Sequence, residues 1–106
     1  MNMIKQPYKG ENMFIVLTKY KADLAKVDLK RGEHVQYLKK LEKEKKLLVG
    51  GRQTPPTGGL LIFTIKSKVE LVKILEEDPY AIAGLSDCEI FEFTPGVYAD
   101  ILKEFI

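Results

Sequence analysis

Apolar and polar positions divide the chain into six main elements joined by short polar turns. Residues 13–20 (MFIVLTKY) are rich in strand formers, and alternation puts Phe14 and Val16 on one face and Met13, Ile15 and Leu17 on the other. A strand with two apolar faces needs cover on both. Residues 28–46 follow the helical period, with Asp28 as the predicted start and Gly32 weakening the first turn. Residues 47–52 (LLVGGR) predict a short strand, QTPPTGG a turn, and residues 60–66 (LLIFTIK) a further strand. Ser67 and Glu70 have capping-box spacing and open a second helix, on which Val69, Leu71, Val72 and Leu75 fall on one broad side. That helix must stop before Pro79. Residues 88–94 (CEIFEFT) predict the last strand, and the closing PGVYADILKEFI a C-terminal helix.

Strand, helix, strand, strand, helix, strand is the order of a ferredoxin-like α+β fold: a split βαβ in which two helices cover one face of a four-stranded antiparallel sheet. The other face is left bare. Because the first and third strands are apolar on both faces, the pattern predicts that a second copy packs there, giving a homodimer with a barrel-like interface. The C-terminal helix is the competing cover.

Composition narrows the function classes. At 106 residues the chain is long enough for one core, and 45% apolar with 30% charged residues is an ordinary soluble balance. No apolar run is long enough to span a bilayer, and the N-terminal residues lack a secretion signal, so no membrane association is expected. A single cysteine, Cys88, allows no internal disulfide and fits a reducing cytoplasm; in mid-strand it reads as a small core residue. With one histidine, a zinc site has too few ligands, and neither a metal nor another cofactor is expected. Residues 1–53 carry a net +7 and residues 54–106 a net −5. Most of the basic excess falls on the solvent side of the first helix, in KKLEKEKK. The strand LLIFTIK lacks the Gly-aromatic signature that stacks bases, which argues against nucleic acid.

Candidate chemistry gathers at few positions. With Val35 at zero and about 100° per residue, His34 falls at about 260°, between Tyr37 at about 200° and Leu38 at about 300°. The only imidazole therefore faces the apolar side, where it needs a hydrogen-bond partner, either a backbone carbonyl or an acid. Arg31 lies one turn earlier at the edge of the same arc. Asp78 precedes Pro79, followed by Tyr80 and the terminator Gly84, which spells a single capped helical turn. A cap occupies only part of a carboxylate, and the second oxygen can take a bond from the His34 N–H, fixing the tautomer for general acid–base work. Gly50 and Gly51 precede Arg52; they suit either close approach of a ligand, with Arg52 holding an anion, or simply a hairpin bend.

RGEHVQYLKKLEKEKKLLVGGR, GGLLIFTIKSKVEL, EEDPYAIAGL and EIFEFTP together resemble the YciI-like (YCII-related) proteins. The resemblance spans about residues 13–95, leaving residues 1–12 as an N-terminal extension and residues 96–106 as a C-terminal helix of the same domain. It implies a dimeric α+β barrel in which His34 and Asp78 form a dyad in a cleft, with Gly51 at the family's strand-end glycine position. Similar proteins act on small cyclic or aromatic compounds, by dehydrohalogenation or lactone isomerisation for example. The sequence departs from the family pattern in the residues before the first strand and in the TPPT of the hairpin, both placed to reshape a pocket mouth.

These features predict a cytoplasmic, dimeric, cofactor-independent enzyme acting on a small carbonyl or phenolic compound by isomerisation or elimination. His34 and Asp78 are its expected catalytic residues, and Arg31, Gly51, Arg52 and Tyr80 its substrate contacts. The alternatives are a small-molecule-binding dimer without chemistry and a structural or assembly protein.

Overall fold

The computed structural model describes residues 12–106, so the N-terminal extension lies, apart from Asn12, outside the described residues. Strand β1 (Met13–Tyr20) is followed by α1 (Leu24–Lys43), β2 (Leu47–Arg52), β3 (Gly58–Phe63), α2 (Lys68–Glu76), the single turn α3 (Pro79–Ile82) and β4 (Ser86–Phe93). The four strands form one antiparallel sheet in the order β2-β3-β1-β4, the expected ferredoxin-like arrangement. The most apolar strand, β1, takes a central position. Register aligns Phe14 with Phe63 and Val16 with Leu61, and all four side chains are buried beneath the helices. Leu41 of α1 and Leu71, Ile74 and Leu75 of α2 close this core. Burial of each large apolar side chain contributes about 1.5–3 kcal/mol, which makes the β1–β3 pair and its helical cover the main source of stability.

Several boundaries differ from the sequence expectation. Helix α1 begins four residues before Asp28, with Asp23 in the N-cap position, because Val27 in its first turn is fully buried against Tyr80 and Leu85. Asp28 is thereby freed from capping. The helix ends at Lys43, and Lys45 takes a left-handed φ of 61° as the chain turns into β2. Strand β3 starts at Gly58, where the chain passes so close to β1 that a Cβ would lie 1.7 Å from the Thr18 carbonyl oxygen. On α2, Ser67 accepts the Glu70 N–H as expected, but the buried stripe is Leu71, Ile74 and Leu75, while Val69 is exposed. Cys88 is not a core residue: β4 is an edge strand and Cys88 is exposed on it, its sulfur 3.8 Å from Thr18 Oγ1.

The sheet face away from the helices carries Val49, Leu60, Phe91 and Phe93, each more than 40% exposed. The C-terminal segment does not cover them. Its regular part is a 3-10 helix, Asp100–Phe105, with no buried residue, and Val97 and Ile101 point to solvent. No helix among the described residues is long and apolar enough to cross a membrane.

Candidate active site

A second, smaller apolar cluster of Val27, Tyr80 and Leu85, with Tyr20 and Ala22 against it, sits beside the main core. It fixes the first turn of α1 against α3, and the cavity of about 320 Å³ opens next to it, between α1 and the β2–β3 side of the sheet. The space has a sequence origin. On the helix-facing side of the sheet, one cross-strand row reads Thr18, Gly59 and Arg52, and the next reads Val16, Leu61 and Gly50. Glycine at 50 and 59 removes the side chains that would otherwise fill the gap under α1. At Gly50 a Cβ would meet Leu61 Cδ2 at 2.5 Å, so Leu61 already occupies its share of the space. A Cβ on Gly51 would meet nothing within 4 Å; this residue lines the cavity with backbone alone.

His34 lines the cavity from α1, and its Nδ1 lies 2.8 Å from Asp78 Oδ1, both side chains being largely buried. Against an ionised carboxylate, which only accepts, Nδ1 is the donor of this bond, and in the neutral imidazole that tautomer leaves the lone pair on Nε2. Asp78 is also the N-cap of α3, accepting the Tyr80 N–H at 2.8 Å. Both bonds end on the same oxygen, Oδ1, rather than one on each oxygen as the sequence suggested. Pro79 starts the turn, and Gly84, with a φ of 68°, ends it. The Tyr80 ring, itself buried, stacks on the imidazole with centroids 3.8 Å apart and planes 10° from parallel. One tripeptide, Asp78 to Tyr80, thus holds the histidine by an edge and by a face. Burial raises the Tyr80 phenol above its ordinary value, with Tyr20 adding to the effect and Arg52 opposing it.

The two arginines differ. Arg31 is exposed, lines the cavity, and has no ion-pair or hydrogen-bond partner among the described residues. Arg52 is engaged on two sides. Its Nη2 pairs with Asp28 Oδ1, and its Nε–H donates to the Tyr20 hydroxyl at 3.0 Å. The hydrogen bond it donates to Asp28, opposed by partial burial and aided by Tyr20, keeps the guanidinium protonated beyond its already high ordinary range. Tyr20 meets Tyr80 edge-on at 5.9 Å. All six residues expected at the site are therefore near it: His34 and Asp78 as a bonded pair, and Arg31, Gly51, Arg52 and Tyr80 along the cavity wall. Two further residues join this group: Tyr20, which strand alternation places on the same face as Phe14 and Val16, and Asp28, which lies in the second turn of α1 and not at its start.

Among solved structures, the chain is similar to 5-chloro-2-hydroxyhydroquinone dehydrochlorinase (TftG) from Burkholderia phenoliruptrix AC1100, in complex with 2,5-dihydroxybenzoquinone. That likeness has a TM-score of 0.68 at 25% identity and covers 79% of this chain and 95% of the other. It is more distantly similar to a single-residue mutant of SnoaB, a cofactor-independent oxygenase from Streptomyces nogalater, with a TM-score of 0.49 at 11% identity over 85% of this chain and 98% of that one. No curated protein sequence matches the chain. The sequence itself matches the YCII-related domain over residues 13–94, from the start of β1 to just past the end of β4, and the chain belongs to that family.

Proposed function

We propose that the protein is a small-molecule enzyme that moves protons without a cofactor, with His34 as general base and acid and Asp78 holding its tautomer. The observation that carries this is the 2.8 Å bond between His34 Nδ1 and Asp78 Oδ1 at the wall of a cavity large enough for a substituted ring. The imidazole Nε2 takes a proton from a hydroxyl or from a carbon beside a carbonyl, and the electron pair released is held on the substrate oxygen. Return of the proton to another atom isomerises the substrate; departure of a leaving group with the electron pair completes an elimination. Arg31, without a partner among the described residues, draws in and holds a negatively charged substrate at the cavity. The similarity to a dehydrochlorinase favours a cyclic, hydroxylated substrate and the elimination branch. We further propose that two copies associate through the exposed sheet face, in a reducing cytoplasm that suits a chain with one cysteine.

Chloride release from 5-chloro-2-hydroxyhydroquinone and from related halogenated hydroquinones tests the reaction class. The expected result is release above the uncatalysed rate by the wild type, lowered about 10²–10⁴-fold in His34→Gln. Saturable binding of such compounds with no turnover, unaffected by His34→Gln, would instead identify a binding protein.

A further inference from the structure

Arg52 is a conspicuous cation in the cavity wall, yet two of its donor groups are already engaged within the protein. Nη2 is held by Asp28 from the flank of α1, and Nε–H is spent on Tyr20. Beside it in the cavity wall is the Tyr20 phenol, half-buried at the end of β1. Its oxygen accepts from a cation, which polarises the O–H and leaves the hydroxyl hydrogen available to another acceptor. The ring is fixed edge-on against Tyr80, and Tyr80 is stacked on His34. A rigid series therefore runs from Asp28 through Arg52, Tyr20 and Tyr80 to the imidazole, with charge at one end and the proton acceptor at the other.

We propose that Tyr20 is a ligand-contacting residue, its hydroxyl donating to the anionic oxygen of a bound ring, and that Arg52 is a positioning residue acting through Tyr20 rather than on the ligand. The inference rests on the proton-transfer function proposed above and adds the group that stabilises the substrate oxygen. When His34 removes a proton, the electron pair moves onto that oxygen, and the Tyr20 O–H strengthens its hydrogen bond without giving up its proton. No other reactant is needed. Preorganised donors of this kind are worth most where water is excluded, and Arg52 supplies preorganisation that a free phenol lacks.

The test uses 2,5-dihydroxybenzoquinone, a coloured compound that is anionic at neutral pH, titrated into wild type, Tyr20→Phe, Arg52→Gln and the double variant. Tyr20→Phe keeps the ring and its contact with Tyr80. Loss of a hydrogen bond to a charged oxygen predicts about ten- to a hundredfold weaker binding and a shift of the probe's visible band in the bound state. Arg52→Gln weakens binding in the wild-type background and has no further effect in the Tyr20→Phe background. Wild-type affinity in Tyr20→Phe overturns the inference, as do losses that multiply in the double variant, since Arg52 would then touch the ligand itself. Asp28→Asn, on the half-exposed flank of α1, provides a second route that leaves the core intact. Weaker binding supports the inference, whereas unchanged or tighter binding, from Arg52 turning onto the ligand, overturns it. If the wild type does not bind the probe, the ligand class of the proposed function fails and this inference fails with it; wild-type binding that survives intact in Tyr20→Phe fails this inference alone.

Discussion

Asp78 Oδ1 carries two hydrogen bonds, one from the backbone of its own turn and one from a side chain 44 residues earlier. Substitution separates them. Asparagine caps a helix as well as aspartate does, so Asp78→Asn should keep the wild-type melting temperature, while Asp78→Ala should lose about 1 kcal/mol of stability. The nitrogen NMR signals of His34 report the other bond: the Nδ1–H tautomer should dominate in the wild type and mix with the Nε2–H form in Asp78→Ala. Tyr37 makes a different case, donating to the Ile74 carbonyl at 2.8 Å. Burial, then Glu77, Asp78 and Glu44, push its phenol up to about 12 from 10.0. Between these values the unfolded chain loses a proton that the fold retains, so folding stability should fall as pH rises through that window and be insensitive to this group at pH 7. Tyr37→Phe should flatten that alkaline slope and cost about 1 kcal/mol at neutral pH, read by denaturant titration at several pH values. Cys88 is exposed as a residue, but its sulfur turns inward to Thr18. Burial raises the thiol above its ordinary value against the Thr18 bond, with Asp78 and Asp87 adding to the rise, so alkylation at neutral pH should be slower than for a free thiol.

At the scale of elements, the turn from Asp78 to Gly84 and the approach of β3 to β1 are both tightly constrained. Gly58→Ala would bring a methyl group against the Thr18 backbone, which cannot rotate away, and should cost about 3 kcal/mol in a thermal or denaturant melt. Gly84→Ala, at a φ of 68° with open space around it, should cost only about 1 kcal/mol. The capped turn was readable because Asp, Pro and Gly each state a backbone preference locally. The inward direction of His34 was readable too, since helical periodicity alone fixes it. The start of α1 was not, because the apolar signal of Val27 depends on Tyr80 and Leu85, which arrive from distant sequence. The same limit hid the Arg52–Asp28–Tyr20 group, whose members come together only through cross-strand register and helix placement. The burial of α2 differed from its wheel because Val69 and Val72 lie to one side of the stripe that meets the sheet.

For the whole molecule, the ferredoxin-like sheet has its helices and cavity on one side and an apolar surface of Val49, Leu60, Phe91 and Phe93 on the other. Burial of that surface by a second copy predicts a dimer in sedimentation equilibrium, and Phe91→Lys should yield a folded monomer; a monomeric wild type would contradict the proposed association. The same architecture separates assembly from chemistry, because the His34–Asp78 pair lies on the helical side, away from that face. Its proposed role is proton abstraction and return, and hydrogen exchange reads this directly without knowledge of the productive substrate. The most direct measurement is NMR of hydroxylated quinones and cyclic ketones incubated with the protein in deuterium oxide. The expected result is protein-dependent exchange of a hydrogen beside a carbonyl in at least one compound, abolished by His34→Gln and slowed in Asp78→Ala. Exchange at the same rate in His34→Gln, or at the rate of the protein-free control throughout, would contradict it.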